Sequence, residues 1–164
     1  MKRFLLPFAA ILLLGGGCSS GTSVDADSSA DLSRDSVLMD STIDQAMSYE
    51  LWSPELVSAG EEFVILVSLE NIDSEYHFLD SIDVGISYLE GIEIEESIPP
   101  YYDRFVVGDG TYSHSYYDDI FAGETLDVYF FATALQTGSY TGALDICIDT
   151  VSDCIFRDIS ITVE

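Results

Sequence analysis

The sequence predicts an all-β domain built from two packed sheets, and three observations predict it. Apolar residues recur at every second position in several runs of the later chain, Gly, Pro and Asp turn signals separate those runs, and no long segment carries the 3.6-residue period of an amphipathic helix. The stretch from Met47 to Glu164 is about 118 residues, enough for one domain with a real core and not for two.

The first residues set the expected compartment. Lys2 and Arg3 precede an apolar run, Phe4 to Leu14, interrupted only by Pro7, and Gly15 to Gly17 lead directly into Cys18 in a Cys-Ser-Ser context. A run of about eleven residues is roughly half of what a membrane-spanning helix needs. Residues 1–18 resemble bacterial lipoprotein signals, in which a small residue precedes the lipidated cysteine, although Gly15 stands where that family usually has Leu. The resemblance implies a signal peptide over residues 1–17 and acylation of Cys18, and Ser19 implies sorting to an outer membrane or cell surface. The alternative is ordinary cleavage near Gly17 with an unmodified Cys18. Residues 18–45 are then the anchor and an acidic, Ser-rich tether without apolar periodicity, with an end-to-end distance of about 25 to 30 Å as a flexible coil.

Residues 46–164 form the predicted domain. Phe63, Ile65, Val67 and Leu69 share one phase of a strand, as do Ile82, Val84, Ile86 and Tyr88 in the next run. Leu126, Val128, Phe130 and Ala132 face one way in a third strand, while Asp127, Tyr129, Phe131 and Thr133 face the other. The segment from Leu144 to Ile159 alternates on both arms of an expected hairpin turning at Asp149 to Ser152. If Ile148 pairs with Asp153, Cys147 lies opposite Cys154, within disulfide reach, and the bond belongs on the outer face while Leu144, Ile146, Ile148, Ile155, Ile159 and Ile161 point inward. Export permits that oxidation, and the short loop implies about 2 to 3 kcal/mol of stabilisation.

Ala59-Gly60-Glu61 and Ala122-Gly123-Glu124 each open a long strand, and both read as turns that change sheet. With the Gly138-Ser-Tyr140 opening and the two final strands, residues 55–164 are similar to bacterial immunoglobulin-like and cell-adhesion-related extracellular domains. That resemblance implies an immunoglobulin-like β-sandwich serving as a spacing, adhesion or partner-binding module, with no catalytic residues to carry over.

Charge narrows the partners. All thirty carboxylates follow Cys18, against only Arg34, Arg104 and Arg157, a net charge of about −27 for the processed chain. Such a surface opposes nucleic acid and anionic bilayers and is eased by salt, which points to a saline habitat. The expected contacts are the membrane through the lipid and an envelope or extracellular protein or glycan. Asp103, Asp109, Asp118 and Asp119 bracket a loop-rich region and are the candidate oxygens for a divalent cation, but no D-x-D-x-D-G-x5-E loop is present and no cofactor is expected. Tyr101, Tyr102, Tyr112, Tyr116 and Tyr117 are the candidate contact surface, amphipathic rings that order at low entropic cost. The competing reading is that they pack over sandwich edges. His114-Ser115 with distant acids makes only a notional triad, G-x-S-x-G is absent, and a non-enzyme is expected.

Overall fold

The computed structural model describes residues 43–108 and 110–164, so Cys18, the apolar run before it, the tether and Asp109 lie outside the described residues. A helical turn, α1 (Ile43–Ala46), leads into β1 (Met47–Trp52), the short β2 (Leu56–Val57), β3 (Glu62–Asn71) and β4 (His77–Gly85). A second turn, α2 (Ile86–Leu89), precedes β5 (Ile92–Ile98), β6 (Asp103–Val107), β7 (Thr111–Ile120), β8 (Thr125–Ala134), β9 (Gly138–Ile148) and β10 (Cys154–Val163).

These strands form two sheets, a four-stranded one ordered β1-β3-β8-β5 and a six-stranded one ordered β2-β10-β9-β4-β7-β6. Every pairing is antiparallel except β2 with β10. The predicted inward phases fill the space between the sheets: Ile65, Val67, Leu69, Ile82, Val84, Val128, Phe130, Leu144, Ile146, Ile148 and Ile155 are all almost fully buried. Burying one face of each sheet against the other is what period-two alternation achieves, and here it yields the all-β sandwich.

The strand order is that of an immunoglobulin fold. Labelled by chain order, β1-β3-β8-β5 corresponds to A-B-E-D and β10-β9-β4 to G-F-C. The β6–β7 hairpin extends the second sheet beyond the C-like strand, but it enters the chain after the D-like strand rather than before it. Tyr140, near the start of β9, donates its hydroxyl to the carbonyls of Gln136 at 3.1 Å and Thr137 at 3.3 Å, the corner that ties the E–F connection in such sandwiches. Its ring occupies the space over Gly91, where a Cβ would lie 1.9 Å from the ring.

Both Ala-Gly-Glu segments carry the chain from the six-stranded to the four-stranded sheet, one between β2 and β3 and one between β7 and β8. Gly60 and Gly123 hold φ of +83° and +77°, which Gly alone adopts without strain. The following glutamate folds back in each: Ser58 N–H donates to Glu61 Oε2 at 2.8 Å, and Phe121 N–H to Glu124 Oε2 at 3.2 Å. Asn71 locks the second turn to β3. Its buried amide donates to the carbonyls of Glu75 and Ile120, each at 2.8 Å, while its backbone bonds Gly123 and Glu124.

One expectation needs correcting. The run expected to continue as a strand through Ile86 and Tyr88 ends at Gly85, and α2 follows. The helical turn still buries Tyr88 completely but leaves Ile86 at the surface, because three residues of helix, unlike two of strand, return a side chain to the same face. The Cys147–Cys154 disulfide does pair directly opposite residues and does lie on the outer face, yet it is not exposed. Cys147 is 1% and Cys154 7% accessible, because β9 is an interior strand flanked by β4 as well as β10.

Candidate functional site

The five candidate tyrosines divide between core and surface. Tyr112, His114 and Tyr116 are two residues apart on β7 and share the face that looks toward the other sheet. Tyr116 is 5% accessible, donates to Ser97 Oγ at 3.1 Å and meets Phe130 edge-on, so it belongs to the core and not to a contact surface; burial raises its hydroxyl pKa well above the usual value. Tyr101 packs edge-on against the His114 ring at 5.2 Å, and Tyr112 lies under the Arg104 guanidinium at 4.7 Å. Tyr102 and Tyr117 alone stand out, 83% and 59% accessible, their rings 6.2 Å apart in an edge-to-face pair. Tyr117 points outward by the same alternation that sends its neighbour Tyr116 inward, and it takes φ +61° where the β4–β7 register shifts between Leu79 and Ser81.

The three described candidate acids, Asp103, Asp118 and Asp119, do not gather into a site. Asp103 Oδ1 accepts the Arg104 N–H at 2.8 Å, Asp118 is half-buried opposite Leu79 with its carboxyl pKa raised by burial and by Asp119, and Asp119 is exposed opposite Phe78. Among the described residues no three His, Cys, Asp or Glu side chains are grouped to hold a metal ion. His114 is fully buried between Tyr101 and Phe130, its Nδ1–H donating to the Ile82 carbonyl at 3.2 Å; desolvation lowers its pKa to about 4. Ser115, the next residue, faces the opposite side of the sheet, so the notional His114-Ser115 pair does not assemble.

His77, which the sequence did not single out, sits between two carboxylates. Its Nδ1 lies 2.6 Å from Asp149 Oδ2 and its Nε2 3.5 Å from Asp73. Partial burial opposes the charged ring, but the two acids outweigh it and raise its pKa. Asp149 also accepts the Phe78 N–H at 2.9 Å, holding the β9–β10 turn against the start of β4.

A contiguous apolar band lies elsewhere, on the outer face of the four-stranded sheet. The register sets Trp52 beside Leu66, Leu66 beside Tyr129 and Tyr129 beside Ile98, one apolar residue from each of the four strands. The adjacent row holds Val64 and Phe131 beside Glu96. Trp52 and Ile98 are each 57% accessible and Tyr129 37%. Three interstrand steps make this band about 14 Å long, and its two rows are about 7 Å apart. Carboxylates border it on both sides: Glu50 and Asp127 with Ser68 between them along one flank, Glu62 and Glu93 with Thr133 between them along the other, and Glu95 and Glu96 beside these. The second flank walls a shallow hollow of about 330 Å³ floored by Val64 and Phe131. Asp127 is fixed by hydroxyl donors, Ser68 at 2.6 Å and Tyr129 at 3.3 Å, and Glu95 by Thr133 at 2.6 Å. Part of the signal was in the sequence: Val64, Leu66, Tyr129 and Phe131 all occupy the non-core phase of their strands.

No family model matches the sequence, and no curated protein does. Among solved structures, the chain is similar to a CARDB domain from Pyrococcus furiosus, in complex with di-metal ions, at 13% identity and a TM-score of 0.41, covering 72% of this chain and 87% of that one. It is similar to a cohesin module of a family 33 glycoside hydrolase from Clostridium perfringens at 14% identity and a TM-score of 0.44, over 73% and 98% of the two chains. It is also similar to a family 123 glycoside hydrolase from the same organism at 8% identity and 0.46, spanning 72% of this chain but only 27% of the enzyme. The described residues thus form an all-β, immunoglobulin-like sandwich, assigned on strand order and the Tyr140 corner.

Proposed function

We propose that this protein is a lipid-anchored lipoprotein of a bacterial envelope, tethered through Cys18 at an outer membrane or cell surface, and that its sandwich serves as a structural or adhesive docking module rather than an enzyme. The observation that carries the docking role is the exposed band of Trp52, Leu66, Tyr129 and Ile98, aligned across all four strands of one sheet. Contiguous apolar surface on an otherwise acidic protein marks an interaction site, because leaving it in water is unfavourable and, among the described residues, Trp52, Tyr129 and Ile98 stay exposed. Anchoring rests on the lipoprotein-like signal over residues 1–18, which also fits the oxidised Cys147–Cys154 pair.

Two experiments test the two halves of this reading. Expressed in a bacterial host, the chain is expected in the membrane fraction with an acyl mass on its first mature residue, and a Cys18→Ser variant is expected in the soluble fraction; an unmodified, freely soluble parent chain overturns the anchor. Site-specific photocross-linking from position 66 in the envelope is expected to capture a protein that crosslinking from position 162, on the exposed phase of β10, does not. Equal labelling from both positions overturns docking at the band.

A further inference from the structure

We infer that the occupant of this band is a partner protein presenting an apolar stripe bordered by lysine or arginine, not a second copy of this chain and not a membrane. The inference rests on the docking role assigned to the band and specifies what the band accepts. Its dimensions match one strip of protein surface: about 14 Å by two side-chain rows is close to the width and two turns of a helix, or to a pair of short strands.

Charge selects among occupants of that shape. Glu50 and Asp127 lie along one flank and Glu62, Glu93, Glu95 and Glu96 along the other, all exposed. Among the described residues no cationic side chain answers them on that face. Arg157 donates to Tyr49 and stacks over its ring, and Arg104 stacks on Tyr112 while bonding the Ile94 carbonyl at 3.2 Å, so both described arginines are engaged within the sandwich. A second copy would therefore set carboxylate flanks against carboxylate flanks, or against another part of a chain with thirty acids and five bases. Anionic lipid meets the same repulsion. A basic-bordered apolar stripe instead buries Trp52, Leu66, Tyr129 and Ile98 at its centre and places a cation within reach of each flank, the arrangement of apolar core and charged rim that gives interfaces both affinity and selectivity. Two of the flanking acids, Asp127 and Glu95, are already oriented by hydroxyl donors, which limits what they must reorganise on binding.

Trp52 is the single tryptophan of the chain, so the test reads the band directly. Two amphipathic helical peptides with the same leucine stripe, one bordered by lysines and one by glutamates, are titrated into the full chain at low salt while the Trp52 emission is followed. A Leu66→Ser/Ile98→Ser variant, which keeps the reporter and the charge, is titrated alongside. The expected result is a saturable blue shift with the lysine-bordered peptide, about tenfold weaker in the variant and in high salt, and absent with the glutamate-bordered peptide. Equal affinity for the two peptides overturns the charge selection but leaves the band a docking surface. No shift with either overturns the band itself. Dimerisation in sedimentation that the variant abolishes assigns the band to a second copy, and a Trp52 shift on anionic lipid vesicles assigns it to the membrane; either result overturns the inference.

Discussion

His114 and His77 are shifted in opposite directions, with opposite consequences for stability. His114 is buried and neutral, its pKa held near 4, whereas in the unfolded chain it titrates near 6.5. As pH falls below about 6.5 the unfolded state binds a proton first, so stability is lost progressively until about pH 4, by roughly 3 kcal/mol from this one ring. A His114→Phe substitution fits between Tyr101 and Phe130 and removes the titration; denaturant midpoints between pH 4.5 and 7, about the window concerned, are expected to flatten, and an unchanged slope would show that the carboxylates govern acid unfolding instead. His77 runs the other way. Its pKa is raised by Asp149 and Asp73, so its contribution is fully present below about pH 6.5 and fades as pH rises through the folded value. His77→Gln is expected to weaken the protein at pH 6 and to leave it nearly unaffected at pH 9, by the same linkage. Tyr140 is a third residue whose neighbours dictate it: Gly91→Ala would place a methyl 1.9 Å from the ring and is expected to cost about 3 kcal/mol, while Tyr140→Phe, losing only the hydroxyl bonds to Gln136 and Thr137, is expected to cost about 1 kcal/mol. Equal losses from the two would mean the ring position is not enforced by Gly91.

At the scale of elements, what was legible depended on whether a signal was local. The inward phases of β3, β8, β9 and β10 could be read directly, because alternation within one strand fixes its buried face. The two Ala-Gly-Glu turns were legible for the same reason, each containing its own glycine conformation and its own glutamate acceptor. Tyr112 and Tyr116 were also within reach, since they stand two residues either side of His114; grouping the tyrosines by type hid a phase that places Tyr116 in the core. The outward face of Tyr117 follows from the same phase, whereas its left-handed φ of +61° was not legible, because it goes with a register shift against the partner strand β4. Nor was the band, whose four residues come from strands far apart in sequence and meet only through register. The disulfide hairpin mixes both kinds of information: pairing of Cys147 with Cys154 was a local deduction, while their burial follows from β4 lying alongside. A Cys147→Ala/Cys154→Ala variant is expected to keep the fold and lose about 2 to 3 kcal/mol in denaturant unfolding, the chain-entropy value for a loop with sequence separation 7. A loss well above that range would mean that packing around the buried sulfurs, rather than the closed loop, carries the stabilisation.

For the whole molecule, the largest unbalanced quantity is charge. Thirty carboxylates follow Cys18 against three arginines, and the fold brings some of those acids together rather than dispersing them. Asp83 and Asp145 are direct register partners on the outer face of the six-stranded sheet, and carboxylates line both flanks of the apolar band. Asp80 shows the consequence, its pKa raised by burial and by the nearby Asp83. Like charges held opposite one another favour the unfolded chain, where they can separate, and the two described arginines are engaged with tyrosines rather than distributed among the acids. Screening weakens this repulsion in the folded state more than in the expanded one, because the folded charges are closer together. The melting temperature is therefore expected to rise steadily as salt increases from about 10 mM to about 2 M, with most of the gain below about 0.5 M, where the screening length falls to a few ångströms. Sodium chloride and potassium chloride should act alike if screening is the cause, since it depends on ionic strength and not on the ion. A midpoint that falls with salt would instead mean that attractive pairs such as His77 with Asp149 outweigh the repulsion, and it would remove the argument for a saline habitat.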